Sequence, residues 1–300
     1  MKNYLFVLLF LSACLNNKNE KNFIENDTPK QGTIYISVDE SFKPVIDEQI
    51  KVYNSTFPNA ILKVRYKPEV ECFRDLYKDS TRMIIVSRGL TKQENSYFKS
   101  YLTFEPKYLQ VAYDAVAAIV NINNKDSVFT IEDLRKMMIG EKIYTVILDG
   151  NNATSTVKYL QDSILKGKNF SSNVVAVNGS EAVIEAIKTT TNAIGFVGNS
   201  WVSNFYDKNQ MENLKKIKLA LIECTKCNEP GYFVKASQAS LTYGQYPLAR
   251  DLYFIVKENW LGLGSGFANF LSLERGQLIF KRSCLVPSKM NFNKRQGLIK

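Results

Sequence analysis

The amino-acid sequence predicts an α/β protein with two lobes, each built on a mostly parallel sheet flanked by helices. Three observations support this fold class. Segments rich in β-branched residues alternate with segments of helical periodicity, as in βα units. Several of the strand candidates are continuous apolar runs, which are typical of strands buried on both faces. About 270 of the 300 residues follow a polar N-terminal stretch, and this length suits two cores better than one.

The alternation can be followed element by element. The predicted strands are 33–38, 61–66, 83–87, 113–121, 143–148, 174–177, 193–197, 217–222 and 252–256. Helices are predicted after most of them, with N-caps assigned to Ser41, Thr91, Thr130 and Ser180. A polar loop at 149–156 leads into a further helix, and two more helices, 267–271 and 274–281, close the chain.

The N-terminus has the pattern of an export signal. Lys2 precedes an apolar run at 4–11, which is far shorter than the roughly twenty residues that span a bilayer. The next residues, Leu-Ser-Ala-Cys ending at Cys14, resemble a bacterial lipobox, which implies a lipid on Cys14. An ordinary signal peptide with an incidental cysteine is the alternative. Residues 1–13 are therefore predicted to be a lipoprotein signal peptide, and the polar residues 14–31 a flexible tether.

The composition excludes several classes of function. The chain contains no histidine, which excludes Ser-His-Asp triads, Cys-His dyads and H-E-x-x-H zinc sites. We therefore expect no catalytic residue, metal or cofactor, and an enzyme that uses Asp39 or Glu71 is the least favoured alternative. The formal charge of +10 attracts anions at long range. There is no run of five like charges, so nucleic acid is not an expected partner.

The five cysteines include one close pair. Cys224 and Cys227 form a C-x-x-C motif in a turn-like segment. Without a second pair or a histidine the motif is a poor zinc site, and it lacks the βαβ context of a thioredoxin-like motif. In an oxidising envelope a local disulfide between the two is favoured. The sequence leaves the state of Cys72 and Cys284 open.

Four groups of segments form a further pattern: 114–121 with 130–135, 193–198 (AIGFVG), 246–250 with 252–256, and 267–277 followed by Val286-Pro287. Together they resemble PstS-like phosphate-binding proteins of ABC transporters, in the lipoprotein form of Bacteroidetes-type bacteria. The resemblance covers residues 32–290 in consistent order. It implies a type II periplasmic-binding-protein fold with a hinge of two crossing strands. Lobe 1 would comprise 32–110 plus 245–300, lobe 2 would comprise 112–222, and 223–244 would connect them through the C-x-x-C turn.

The function that the resemblance implies is the capture of inorganic phosphate or a similar oxyanion. The protein would pass this ligand to the permease subunits of an ABC importer. It would be held at the membrane by the lipid on Cys14 and face the periplasm or the cell surface. Two alternatives remain: a binder of a different small anion, or a surface-attached sensor or interaction protein that keeps the fold without transport.

The resemblance also implies ligand-binding residues in lobe 1. Ser41 and Phe42 match the Ser/Thr-Phe pair that follows the first strand and offers hydroxyl and backbone donors to phosphate. Ser87 matches a serine at the end of the third strand. Arg88 stands where the family has an acidic residue, and we expect its guanidinium to grip the anion.

In lobe 2 the family has a Ser-Gly-Thr-like loop at a helix start, where unpaired N–H groups bind anions. The matching residues here are Asn152, Ala153, Thr154, Ser155 and Thr156. Ser155 replaces the glycine. The family's carboxylate that accepts a proton from phosphate has no direct match, and Asp39, Glu40 or Glu71 are the candidates to replace it. Asp149 is interpreted as a turn residue, and Arg250 is interpreted as lying outside the cleft.

Overall fold

The computed structural model of the chain describes residues 27–150 and 154–290. Within these residues ten strands form one sheet, and its main path has the order β2-β1-β3-β12-β4-β8-β6-β7. The strands are β1 Gly32–Asp39, β2 Ala60–Lys67, β3 Thr81–Val86, β4 Lys107–Asn121, β5 Val128–Phe129, β6 Thr145–Leu148, β7 Val174–Ala176, β8 Ala193–Gly198, β9 Ile217–Leu219, β10 Leu221–Glu223, β11 Phe233–Val234, β12 Ala249–Val256 and β13 Val286–Pro287.

Helices lie between most of these strands, as the alternation in the sequence predicts. They are α1 Lys43–Thr56, α2 Glu69–Leu76, α3 Lys92–Leu102, α4 Ile131–Met138, α5 Ser155–Ser163, α6 Gly179–Thr189, α7 Lys208–Asn213, α8 Gln238–Thr242, α9 Leu263–Ser272 and α10 Glu274–Arg282. Two short 3-10 helices, Glu40–Phe42 and Asn199–Trp201, follow β1 and β8. Among the described residues no helix is both long enough and apolar enough to span a membrane.

Lobe 1 is built on β1, β2, β3, β12 and the first part of β4, with helices on both faces. Strand β3 shows why its sequence is continuously apolar. Met83 and Ile85 belong to the core under α1, α9 and α10, whereas Ile84 and Val86 belong to a second core under α2 and α3. All four side chains are fully buried. The apolar run thus marks a strand covered on both faces.

Lobe 2 is built on β6, β7, β8 and the last part of β4. The strands β6, β7 and β8 are parallel, and β4 runs antiparallel to β8. One large core unites this sheet with α4, α5 and α6. Each lobe is therefore a parallel α/β unit to which a crossing strand adds an antiparallel neighbour.

Strand β4 joins the lobes, because its residues pair with β12 in lobe 1 and with β8 in lobe 2. The chain returns to lobe 1 beside it: the backbone N–H of Val116 donates to Leu248 O at 2.9 Å, just before β12. Tyr246 is buried here, and its hydroxyl donates to Val116 O at 3.0 Å. This pair of crossing segments has the form of the predicted hinge. The residue boundaries predicted for the lobes stay predictions.

A small sheet joins β5 to β10 and β11, and of these strands β11 lies in the segment 223–244 predicted to connect the lobes. Directly after β10, Cys224 and Cys227 are joined by a disulfide, with a Cα–Cα distance of 5.6 Å. Cys72 and Cys284 are free thiols. The disulfide fastens the turn between β10 and β11, where Cys224 N–H donates to Tyr232 O at 2.8 Å.

Two of the four predicted N-caps are confirmed and two are wrong. Thr91 and Thr130 form capping boxes with Glu94 and Asp133. Ser41 instead lies inside the first 3-10 helix, and its N–H donates to Asp39 at 2.9 Å. Ser180 lies inside α6, which begins one residue earlier. Asp39, two residues before Ser41, takes over the first cap, and Glu40, which is distant in sequence, accepts from Ser180 at the start of α6.

Candidate functional site

The guanidinium of Arg250 lies between the two lobes, and the side chain is 2 % exposed. It donates from Nη2 to Ser41 Oγ of lobe 1 at 3.0 Å. It donates from Nη1 to Ser155 Oγ of lobe 2 at 2.9 Å. Its carbon Cζ lies 4.6 Å from the ring centre of Phe42, so the aromatic face supports the cation. Arg250 therefore links the hinge strand β12 to both lobes at one point.

Ser41 and Ser155 meet across the cleft, with their hydroxyl oxygens 3.2 Å apart. The first lies in the 3-10 helix that follows β1, and the second is the first residue of α5. Gly198 allows this approach, because a Cβ there would lie 2.4 Å from the carbonyl oxygen of Ser41. Both hydroxyls accept from Arg250, and one of them donates to the other, so the pair keeps one proton for another acceptor. An anion oxygen that accepts from both hydroxyls would replace the bond between them.

Asp114 on β4 holds Arg250 in place. Its Oδ2 accepts from Arg250 Nε at 2.9 Å and from Nη2 at 2.8 Å, and Asp114 is fully buried. Burial by itself would lower the pKa of Arg250, but the carboxylates of Asp114, Asp39 and Asp149 act more strongly and raise it. Arg250 is therefore a permanent cation in the cleft, and its position is fixed from the hinge.

Two further buried carboxylates surround this cation. Asp39 ends β1, and its Oδ1 accepts from Ser41 N–H. Asp149 follows β6, and its Oδ1 accepts from the Thr154 hydroxyl at 2.7 Å. The second oxygen of each carboxylate is buried and accepts no hydrogen bond from any described residue. Burial, with Asp39 as a further contribution, raises the pKa of Asp149 to about 6.

The start of α5 contains three of the predicted ligand residues in different roles. Thr154 is the N-cap: its Oγ1 accepts from Val157 N–H at 3.2 Å, and its only hydroxyl proton goes to Asp149. Ser155 contacts Ser41 and Arg250, as described above. Thr156 is fully buried; its hydroxyl makes no bond within ordinary hydrogen-bond distance but lies close enough to Asp149 to lower the pKa of that carboxyl. Thr156 thus has a weakly used donor and Ser155 shares one with Ser41, whereas Thr154 has used its own.

Ser87 and Arg88 are engaged elsewhere within lobe 1. The N–H and the hydroxyl of Ser87 both donate to Glu69 Oε1 at 2.7 Å. Arg88 makes a two-pronged contact with Glu94, at 2.8 and 2.9 Å, and its Cζ lies 3.8 Å from the ring centre of Phe73. The structure does not bring these two side chains to Ser41 and Ser155. Their ligand roles stay predictions.

Some of the remaining predicted residues lie outside the described residues or away from the cleft. Asn152, Ala153 and Cys14 lie outside the described residues. Glu71 pairs with Arg74 on the surface of α2, away from the cleft residues. No group of three metal-ligating side chains is found within 27–150 and 154–290.

Sequence reasoning missed Arg250 and Asp114 as parts of the cleft. Both carried a usable signal. Asp114 interrupts the apolar strand at 113–121, and Arg250 shares a face with the buried Leu252 and Phe254 in β12. A charged residue on the buried face of a strand needs a partner of opposite charge, and these two provide it for each other.

Comparison with known proteins places the chain in a family. Residues 24–274 match the family model described as a PBP superfamily domain. A curated relative, the phosphate-binding protein PstS of Borreliella burgdorferi, is 25 % identical over 267 residues, which cover 82 % of this chain and 89 % of the relative.

Two solved structures show the same fold. One is a putative phosphate ABC transporter substrate-binding protein with bound phosphate from Clostridium perfringens, with a TM-score of 0.71, 18 % identity, and coverage of 86 % of this chain and all of that one. The other is an ABC-type phosphate transport receptor from Vibrio cholerae, with a TM-score of 0.61, 18 % identity, and coverage of 85 % and 100 %. These likenesses confirm the predicted two-lobed α/β fold. The names of all three proteins describe binding or transport, in agreement with the expectation of a binding protein rather than an enzyme.

Proposed function

Because this chain belongs to the PBP superfamily, we propose that it captures inorganic phosphate between its lobes for an ABC importer. The observation that carries the proposal is the meeting of Arg250, Ser41 and Ser155 at 2.9–3.2 Å. One hydroxyl comes from each lobe, and the cation comes from the hinge strand. An anion that accepts from both hydroxyls is held only when the lobes are closed, so binding and closure are coupled.

The buried carboxylates favour a protonated oxyanion. The second oxygens of Asp39 and Asp149 are acceptors without donors among the described residues. A buried acceptor without a donor is costly. Monohydrogen phosphate carries one P–OH donor and dihydrogen phosphate carries two, and these can donate to such oxygens, whereas sulfate carries no proton at neutral pH. Asp39 is thus the best replacement for the proton-accepting carboxylate that the sequence comparison could not match.

Titration calorimetry of the purified protein against phosphate, sulfate and molybdate tests this proposal. We expect phosphate to bind to one site and sulfate to bind more weakly. Ser41→Ala and Ser155→Ala should each weaken phosphate binding about tenfold, since each removes one neutral hydrogen bond. Ser163→Ala, at the other end of α5, is the matched control and should bind as the wild type does. If no oxyanion binds the wild type, the proposal fails, and the sensor or interaction alternative takes its place.

Attachment to the envelope is the second part of the proposal. The lipobox-like residues that end at Cys14 support a lipid anchor, through which the protein would face the periplasm or the cell surface. Replacing Cys14 with Ser should abolish metabolic labelling with a fatty acid and release the protein from membranes. Unchanged labelling of the variant would disprove the anchor without affecting the ligand proposal.

A further inference from the structure

A second contact joins the lobes beside the candidate anion site. Glu40, directly after β1 in lobe 1, reaches the first turn of α6 in lobe 2. Its Oε1 and Oε2 accept from the backbone N–H of Ser180 at 3.1 and 3.3 Å. Its Oε2 also accepts from the Ser180 hydroxyl at 2.9 Å. Glu40 of lobe 1 therefore caps helix α6 of lobe 2.

The start of α6 is shaped for this carboxylate. Gly179 has φ of +85°, which L side chains rarely adopt, and a Cβ at this position would lie 3.2 Å from Glu40 Oε1. Glycine therefore allows both the turn and the approach. A carboxylate at a helix N-terminus also interacts favourably with the helix dipole. Asn178, the residue before α6, makes no side-chain capping bond, so Glu40 takes over that role.

We propose that Glu40 is a latch that closes the two lobes without ligand, through its bonds to Ser180 at the start of α6. The contact uses neither Arg250 nor the hydroxyls of Ser41 and Ser155. It therefore biases the equilibrium between open and closed lobes whether or not an anion is present. The latch rests on the proposed function only where it affects phosphate affinity. If the closed lobes are less populated, the apparent affinity for phosphate falls in proportion to the closed fraction.

The charge environment makes the latch dependent on pH. Burial, with contributions from Asp149 and Asp39, raises the pKa of Glu40 from the ordinary value of 4.5 to about 7. The two nearby carboxylates, Asp149 and Asp39, oppose the ionised form of Glu40, whereas the hydrogen bonds from Ser180 favour it. In an open cleft Glu40 is solvated and returns towards its ordinary pKa. Closure therefore takes up a proton.

Because closure takes up a proton, lower pH favours the closed lobes. The contribution of Glu40 to closure is fully present below pH 4.5 and is lost as pH rises through about 7. Between these limits the ratio of closed to open protein changes by at most about tenfold per pH unit for one proton. Asp149, whose pKa is about 6, adds a component of the same sign at lower pH.

Two substitutions should act in opposite directions. Glu40→Gln keeps an acceptor for Ser180 N–H but cannot ionise, so it mimics the protonated latch. We expect it to be as closed at pH 8 as the wild type is below pH 4.5, with little change between pH 5.5 and 8. Glu40→Ala removes the acceptor, and we expect it to lower the closed-to-open ratio roughly tenfold at pH 6.

The experiment measures closure in the ligand-free protein between pH 5.5 and 8. Small-angle X-ray scattering gives the radius of gyration, and amide hydrogen exchange reports on the Ser180 N–H itself. Glu181→Gln is the matched control. Like Glu40→Gln it removes one carboxylate near the start of α6, but Glu181 makes no bond to Ser180. This variant should follow the wild type. Circular dichroism checks that every variant is folded.

The latch is overturned if Glu40→Ala matches the wild type in both measurements at pH 6. It is also overturned if Glu40→Gln keeps the full pH dependence of the wild type. A protein that shows the latch but binds no oxyanion would refute the proposed function alone. A protein that binds phosphate with no effect of these substitutions would refute the latch alone.

Discussion

Replacement of Arg250 by Ala tests whether Arg250, rather than Arg88, binds the anion. The guanidinium makes four hydrogen bonds of 2.8–3.0 Å, two of them to the fully buried Asp114. Removing one partner of a buried ion pair leaves an uncompensated charge, which costs about 3–5 kcal/mol of unfolding free energy. A hydrogen bond from a charged group to a ligand contributes about 1.5–3 kcal/mol. Phosphate affinity should therefore also fall, by about ten- to a hundredfold.

Stability and binding can be measured apart. Urea unfolding gives the free energy of unfolding, and calorimetric titration at fixed ionic strength gives the phosphate affinity. The double variant Asp114→Asn with Arg250→Gln removes both charges, so it should recover much of the lost stability without recovering the affinity. This outcome would assign the binding loss to the missing cation rather than to a damaged fold.

Arg88→Ala is the matched control, since Arg88 is the arginine that the sequence assigns to the ligand. Its pair with Glu94 is partly exposed, and such pairs contribute about 1 kcal/mol or less. From the structure we expect little loss of phosphate affinity. If Arg250→Ala binds phosphate as the wild type does while Arg88→Ala does not, the reasoning from the cleft geometry is refuted and the assignment from the sequence is correct.

Three further predictions concern single groups. Burial raises the pKa of Asp149 from its ordinary value of 3.8 to about 6. The contribution of Asp149 to stability is therefore present below pH 3.8 and is lost as pH rises through 6. Asp149→Asn should remove this part of the pH dependence of urea unfolding, and an unchanged profile would contradict the assignment. Thr156→Val should weaken phosphate binding up to about tenfold in calorimetry. Thr154→Ser keeps the helix cap and the bond to Asp149, so it should bind phosphate as the wild type does. Equal affinities of the two variants would show that the Thr156 hydroxyl does not reach the ligand. Mass spectrometry of the non-reduced protein should find Cys224 and Cys227 oxidised, and two free thiols would rule out the disulfide.

The sequence by itself determined the local elements. The apolar run of β3 predicted a strand buried on both faces, and the structure assigns alternate side chains to two separate cores. Thr91 and Thr130 predicted helix starts that the structure shows as capping boxes. These predictions succeed because a strand or a helix start depends on residues within a few positions of one another. Ser41 and Ser155 could also be placed at strand and helix ends for the same reason.

The tertiary structure alone decided which of these groups meet. Ser41 and Ser155 are 114 residues apart in the chain, Glu40 and Ser180 are 140 apart, and Ser41 and Arg250 are 209 apart. Periodicity shows which face of an element a side chain occupies, but it does not identify the partner across a cleft. Arg88 was assigned to the ligand because it follows a strand end, yet Glu94, six residues away, satisfies it locally. Arg250 has no such local partner, and only the folding of β4 beside β12 provides Asp114 and orients the cation between the lobes.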